Sequence, residues 1–319
     1  MNSIVTIFGG SGFLGRYAVR ALAKKGHRLR VAVRQPNLAN YLLPMGQVGQ
    51  IQLVKVNVTH ADAVAGALRG AAAAVNLVGI LQETGSQRFR RLHAEAAGSV
   101  ARAAKSAGVE TLVHVSAAGI ETNTRSAYAR TKLEGERRVR EAFPEATILR
   151  PSLVFGPEDN FFNRFAALAR FTPALPLIGG GKTRFQPVYV GDVADAIETC
   201  VENPATRGKA YELGGPSIHT FRELLELTLR ETRRRRWLVP VPFTLASLQA
   251  MFLQLLPHAP LTMDQVRLLK RDNVVAGGAL TLADLGIEPQ PLEAILPTYL
   301  WRFRREGQYE GPTERIGAA

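Results

Sequence analysis

Cysteine is nearly missing from this chain: Cys200 is the only one in 319 residues. No disulfide within the chain and no cysteine-based zinc site can therefore be drawn, and the scarcity favours a reducing compartment. Tryptophan occurs twice and aromatic residues make up 7% of the chain. Long polar tracts, repeats and low-complexity blocks are missing too. With 46% hydrophobic residues, that excludes disorder as the main state. The opening residues do not read as a signal peptide. The apolar run Ile4–Phe8 is short, lacks a basic flank and is followed at once by glycines. Acidic residues are under-represented, 27 against 40 Lys and Arg, which leaves a net charge of +13. Such an excess suits an anionic partner: a phosphorylated cofactor, acidic lipid, nucleic acid or an acidic protein. It is equally consistent with a solvated arginine-rich surface. At about 150 residues per domain the length suggests two domains, enough to bury a core without metal or disulfide staples.

What is present is a regular alternation. Ile4–Phe8, Leu29–Val33, Gln52–Val56, Ala73–Leu77, Thr111–Val115 and Thr147–Leu149 are short apolar runs that read as buried strands. Between them Phe13–Lys25, Ala61–Leu68, Phe89–Ala107 and Ala127–Phe143 carry helical spacing, the first stopping at Gly26. Repeated β-α-β units predict a doubly wound parallel sheet covered by helices, an α/β fold of the Rossmann type. After Pro151 the pattern turns irregular and rich in Pro and Gly. The predicted organisation is a sheet domain over residues 1–155, a return of the chain to it around 185–215, and a smaller, mainly helical substrate or docking region over 156–319.

Gly9-Gly10-Ser11-Gly12-Phe13-Leu14-Gly15 joins the first strand to the first helix. Glycines at 9, 12 and 15 allow a tight turn and close approach of backbone to a pyrophosphate, which the helix N-terminus then meets with free N–H groups. The β-α-β context turns a weak motif into a prediction of dinucleotide binding. The second strand ends at Arg34, about where an NAD site carries a carboxylate for the ribose hydroxyls. A cation there suits a 2′-phosphate, so NADP(H) is the expected cofactor and NAD(H) the second choice. Gly181-Lys182-Thr183 is not read as a phosphate loop, because Pro176 stands where the first glycine belongs and Pro187 disfavours a following helix.

Ser116 follows a buried strand, so it should lie at the carboxyl edge of the sheet, where doubly wound folds bind ligands. Tyr128 and Lys132, spaced i and i+4, open the next helix and project from one face. A phenol has an ordinary pKa of about 10. A nearby ammonium and an oxidised nicotinamide are expected to lower it, letting Tyr128 exchange a proton with a substrate oxygen. Ser116 would bond the same oxygen and Lys132 the cofactor ribose.

These features resemble the extended or atypical branch of the short-chain dehydrogenase/reductases over most of residues 1–215. Within that branch the chain is most similar to the nucleotide-binding accessory subunit of respiratory complex I and its bacterial relatives. The family likeness rests on Asn57-Val58, Asn76-Leu77-Val78-Gly79, Arg150–Pro157 and Tyr189–Ala194, besides the glycines and the Ser–Tyr–Lys set, and the likeness to the accessory subunit on Val75–Gly79, Gly156–Asn163 and Pro176–Gly181. It implies that Asn57 and Val58 flank the adenine, and that Leu77, Val78, Gly79 and Val115 approach the cofactor. It also implies that Pro151, Leu153 and Val154 line the nicotinamide pocket. Two positions depart from the pattern: His93 stands where an Asn is common, and Asn57 where an acid is common. The implied activities are an oxidoreductase or epimerase-like enzyme acting on a carbonyl or hydroxyl group, or a non-catalytic NADPH-binding part of a respiratory or quinone-linked assembly. A nucleotide-ratio sensor is the third reading.

Arg230 and Arg233–Arg236 precede an uncharged stretch, Trp237–Met263. Pro240 and Pro242 leave only Phe243–Leu256 as a helix, about 21 Å long and too short to cross a bilayer. It reads either as a cover over the substrate cleft or as a membrane-docking element in which the arginines meet lipid head groups and Trp237, Phe243, Met251 and Phe252 enter the interface. Trp301–Arg305 could add to that surface. The expected location is cytoplasmic, or peripheral on the inner membrane. No nucleic-acid module accompanies the charge, so none is expected as partner, and no metal is expected.

Overall fold

A computed structural model describes residues 3–254 and 259–307. Its centre is a seven-stranded parallel sheet, β1 (Ile4–Phe8), β2 (Arg28–Val33), β3 (Ile51–Lys55), β4 (Ala71–Asn76), β5 (Thr111–Val115), β6 (Thr147–Pro151) and, from farther along the chain, β11 (Ala210–Leu213). The spatial order is β11-β6-β5-β4-β1-β2-β3. The chain winds outward from β1 through β2 to β3, then crosses to β4 on the other side. The crevice between β1 and β4 is therefore the point where the winding reverses.

Helices α1 (Phe13–Lys24) and α6 (Val190–Glu202) cover one face, α2 (Ala61–Leu68), α3 (Ala96–Ser106) and α4 (Ala127–Ala142) the other. Alternation along β5 shows why both faces are apolar: Val113 and Val115 enter the core beneath α1 and α6, while Leu112 enters the core beneath α2, α3 and α4. Burial of both faces explains why these strands read as continuous apolar runs.

The expected helix over 89–107 differs in its first turns. Arg90–Glu95 is π-helical and passes directly into α3. Gly135 of α4 lies against this turn so closely that a Cβ there would sit 2.0 Å from the His93 carbonyl oxygen. A wide turn is a common local adjustment at such sites.

Beyond β6 come β7 (Val154–Phe155), α5 (Phe162–Phe171), β8 (Ala174–Ile178), β9 (Arg184–Phe185) and β10 (Val188–Tyr189). After β11 follow β12 (His219–Thr220), α7 (Phe221–Glu231), β13 (Trp237–Val241), α8 (Phe243–Leu253), α9 (Met263–Leu268), α10 (Leu292–Ile295) and α11 (Pro297–Leu300). These build a third core around Phe155, Phe162, Phe185 and Phe221. Residues 190–213 return to the sheet: α6 packs on α1, and β11 pairs parallel with β6. The proline-broken stretch 237–241 is a strand, paired parallel with β8 in a two-stranded sheet that tolerates Pro240. The helix expected to reach residue 256 runs to Leu253, and residues 255 and 256 lie outside the described residues. Among the described residues no helix is long and apolar enough to cross a membrane.

Candidate functional site

The glycine loop lies at the carboxyl end of β1. Gly9 has φ of +82°, a conformation that favours glycine, and its carbonyl accepts the Gly12 N–H at 3.0 Å. A Cβ on Gly15 would fall 2.4 Å from the Gly9 oxygen, so the first turn of α1 packs directly on the loop. Gly12 caps α1 without a side-chain bond, and no acidic residue occupies the first turn. The start of α1 thus has no side-chain cap and no competing carboxylate in its first turn, which suits an anion cradle.

That loop forms one wall of a cleft of about 330 Å³ above the β1/β4 crevice. Of the residues expected to hold a cofactor, Gly9, Ser11, Gly12, Arg34, Asn57, Val58, Leu77, Val78 and Gly79 line it. Gly10 and Gly15 lie behind it, buried. The Leu14 side chain packs into the core, leaving its amide as the group able to face a ligand. Phe13 lies farther along, near Gly156.

Sequence reasoning missed Arg91. It lines the same cleft, and its guanidinium donates to Thr59 Oγ at 3.2 Å. No carboxylate joins the two arginines among the lining residues. Arg91 sits in the π turn, far from Arg34 in sequence, so no local signal marks it.

The second half of the site lies behind Gly79. A Cβ on Gly79 would stand 3.3 Å from Lys132 Nζ, which places the lysine against the cleft's inner wall. Lys132 is buried and donates to the Val115 carbonyl at 3.1 Å. Burial, opposed by Glu136, brings its pKa down to about 8. Tyr128 packs edge-on against Phe89 and His93, with ring centroids 5.9 and 5.2 Å away. Burial pushes the Tyr128 pKa up to about 12 in the protein alone, whereas the expected lowering draws on the charge of an oxidised nicotinamide as well as on Lys132. A phenolate loses more hydration in this apolar setting than the proton costs to keep. In this state the protein holds a neutral phenol, an acid rather than a base. Ser116 is buried, and its Oγ has no hydrogen-bond partner among the described residues.

Two histidines back this set. His93 Nε2 accepts the Ile80 N–H at 3.1 Å, so the neutral ring carries its proton on Nδ1 and donates to Thr131 Oγ at 3.1 Å. Thr131 in turn donates to the Ala127 carbonyl. The position that departs from the family pattern is thus occupied by a structural hydrogen-bonder. His114 lies on the same face of β5 as Ser116. Asn76 Oδ1 accepts the Val78 N–H, which orients its Nδ2 to donate to His114 Nδ1 at 3.1 Å. His114 Nε2–H has no partner among the described residues. Burial, reinforced by the Lys132 charge, lowers both histidines to about 3.

Helix α4 is tied at its start and again along its length. Arg150 of β6 makes a forked bond to buried Glu136, at 3.0 and 2.7 Å. Asp264 of α9 accepts from Ser126 Oγ, Ala127 N and Tyr128 N at 2.8, 2.7 and 3.0 Å. The residue beside the expected proton donor is thereby tied to the C-terminal region. Asn273, from the segment after α9, accepts from Ser152 Oγ at 2.7 Å and donates to the Ala118 carbonyl at 2.9 Å. Pro151 is buried between these, Leu153 packs toward the third core, and Val154 pairs with Val188. None of the three lines the cleft.

The sequence profile of the NAD dependent epimerase/dehydratase family matches residues 5–214. The mitochondrial NADH dehydrogenase (ubiquinone) 1 alpha subcomplex subunit 9 of Arabidopsis thaliana is 34% identical over 322 residues, covering 97% of this chain and 80% of that protein. The mouse protein of the same name, from Mus musculus, is 34% identical over 304 residues, covering 94% and 80%. Among solved structures, the NADPH-dependent quinone oxidoreductase QOR2 of Escherichia coli, complexed with NADPH, superposes with a TM-score of 0.72. It is 22% identical and covers 93% of this chain and 98% of that one.

Proposed function

The chain belongs to the NAD dependent epimerase/dehydratase family, and from that premise we propose that it binds NADP(H) and uses Ser116, Tyr128 and Lys132 on a carbonyl or hydroxyl substrate. The residues suit the cofactor. The uncapped start of α1 offers amides to a pyrophosphate. Arg34 and Arg91, in a lining without carboxylates, suit a 2′-phosphate better than bare ribose hydroxyls. Bound there, the cofactor supplies or accepts the hydride.

The observation that carries the catalytic reading is the unpartnered Ser116 Oγ, buried on the strand that Lys132 contacts. A buried hydroxyl without a partner is costly unless a ligand oxygen completes it. Ser116 bonds the substrate oxygen. Tyr128, neutral in this state, donates its phenolic proton to that oxygen in the reducing direction and recovers it in the other. Lys132 holds the ribose and offsets the charge left on the phenol. Asp264 keeps Tyr128 in register by fixing the first turn of α4. The test is turnover of NADPH across carbonyl and quinone substrates by the protein and by Tyr128→Phe. Equal rates in the two would sink the catalytic reading while leaving cofactor binding to be measured separately.

A second reading is favoured by the extent of the likeness to the Arabidopsis subunit, 97% of this chain. In it the protein is a non-catalytic NADPH-binding component of a respiratory assembly, facing the cytoplasm at the inner membrane. Co-purification of the tagged chain with a membrane complex, together with absence of turnover, selects this reading over the first.

A further inference from the structure

Two stretches of the sequence contain no Asp or Glu at all, 160–191 and 233–263, and each carries four basic residues. The fold places them side by side: β8 comes from the first, β13 from the second, and they pair from Trp237↔Ala174 to Val241↔Ile178. Helix α8 continues directly from β13. The two acid-free segments thereby form one continuous surface of the C-terminal region.

That surface is built inside out. In α8 the buried residues are the small Ala246 and Ala250, while Leu245, Leu248, Met251 and Phe252 are exposed. Leu245, Leu248 and Phe252 follow i, i+3, i+7 and form one outward stripe. Trp237 is 77% exposed and Phe252 62%. Phe171, at the end of α5, is 81% exposed, close to where Trp237 N–H donates to the Pro173 carbonyl. Among the described residues, packing gives no reason for large apolar groups to point outward while alanines point in. An exposed patch of this kind marks a contact surface.

Its borders are cationic. Exposed Arg170 lies with its guanidinium 5.5 Å from the Phe171 ring centroid, exposed Arg235 precedes Trp237 by two residues, and Lys270 Nζ lies 5.5 Å from the Phe243 ring centroid. The two stretches themselves carry no carboxylate; the flanking Glu231 is paired with Arg230 at 3.5 Å, and Asp272, two residues from Lys270, is paired with Arg184 at 2.9 Å. We infer that this face docks on an anionic lipid bilayer, with Trp237 and the α8 stripe entering the interface and Arg170 and Arg235 meeting phosphate head groups. Charge decides the occupant. A basic rim on acid-free segments around apolar side chains complements a negatively charged interface, whereas a second copy of the chain would oppose arginine to arginine. The inference is independent of the dinucleotide reading, since no cleft residue takes part.

The test is flotation of the full chain with vesicles of phosphatidylcholine alone or mixed with phosphatidylglycerol. The expected result is binding to the mixed vesicles only, weakened by salt, with a blue shift of tryptophan emission that persists in Trp301→Phe and is lost in Trp237→Phe. Removing the charge at Arg170 or Arg235 should weaken binding about fivefold each. Leu248→Ser/Phe252→Ser, at exposed positions, should abolish the blue shift while leaving the thermal midpoint and NADPH affinity unchanged. Equal partitioning to both vesicle types, or no partitioning, overturns the inference. So does a dimer in sedimentation that Leu248→Ser/Phe252→Ser dissolves, which would make the face a self-association surface.

Discussion

The molecule has two cationic surfaces, and they differ in shape more than in charge. Above the β1/β4 crevice, Arg34 and Arg91 border a cleft walled by glycine backbone and the open start of α1. On the C-terminal region, Arg170 and Arg235 border a surface from which Trp237, Leu248 and Phe252 protrude. Backbone donors converging in a concavity select a small anion with fixed geometry. Protruding apolar groups in a basic rim select an extended anionic plane. Net charge alone, +13, could not have distinguished the two.

If the cleft serves chemistry and the C-terminal face serves only docking, the surfaces should fail independently. The largest separation is expected from Tyr128→Phe, which should lower turnover about 10²–10⁴-fold while vesicle binding stays as in the unaltered protein. A parallel loss of both would collapse the distinction.

Next in size is acid sensitivity, which the titratable groups behind the cleft should confer. His93 and His114 have folded pKa values of about 3 against an ordinary 6.5. The unfolded chain therefore binds more protons between those values, and stability, full above pH 6.5, falls as pH drops toward 3. Together the two should cost on the order of several kcal/mol. Urea midpoints measured across this range should decline, and less steeply in His114→Leu. A flat profile would mean that water reaches these rings.

Smaller, and specific to the cleft, is cofactor choice. Arg34→Ala should weaken NADPH about tenfold, the loss of a charge-assisted bond, and leave NADH affinity within about twofold. Equal losses for both nucleotides would place the arginine away from the 2′-phosphate. The smallest effect belongs to the tie between the two regions. Asp264→Ala removes three bonds to the start of α4 and should lower stability by about 1–2 kcal/mol, with turnover falling while NADPH affinity holds. An unchanged thermal midpoint would contradict that role.

Much of the sheet region was legible because its signals are local. Apolar runs, glycine spacing and the i, i+4 pair are set by neighbours in the chain, and the helix over Ala61–Leu68 and the strand over Thr111–Val115 match the structure residue for residue. The wide turn at Arg90–Glu95 was not legible, since it answers to Gly135 on another helix. Nor was the strand at Trp237–Val241, whose partner β8 lies some sixty residues earlier.

By itself, then, the sequence determined the order of strands and helices through the sixth strand, the glycine turn, and the presence of serine, tyrosine and lysine at one edge of a parallel sheet. Each follows from backbone preference and periodicity over a few residues. The tertiary structure alone decided that burial raises the Tyr128 pKa, that Ser116 and His114 keep unmet bonds among the described residues, that Arg91 joins Arg34, and that two acid-free segments are paired side by side. Those properties depend on desolvation and on contacts between distant segments, quantities that no local stretch of chain contains.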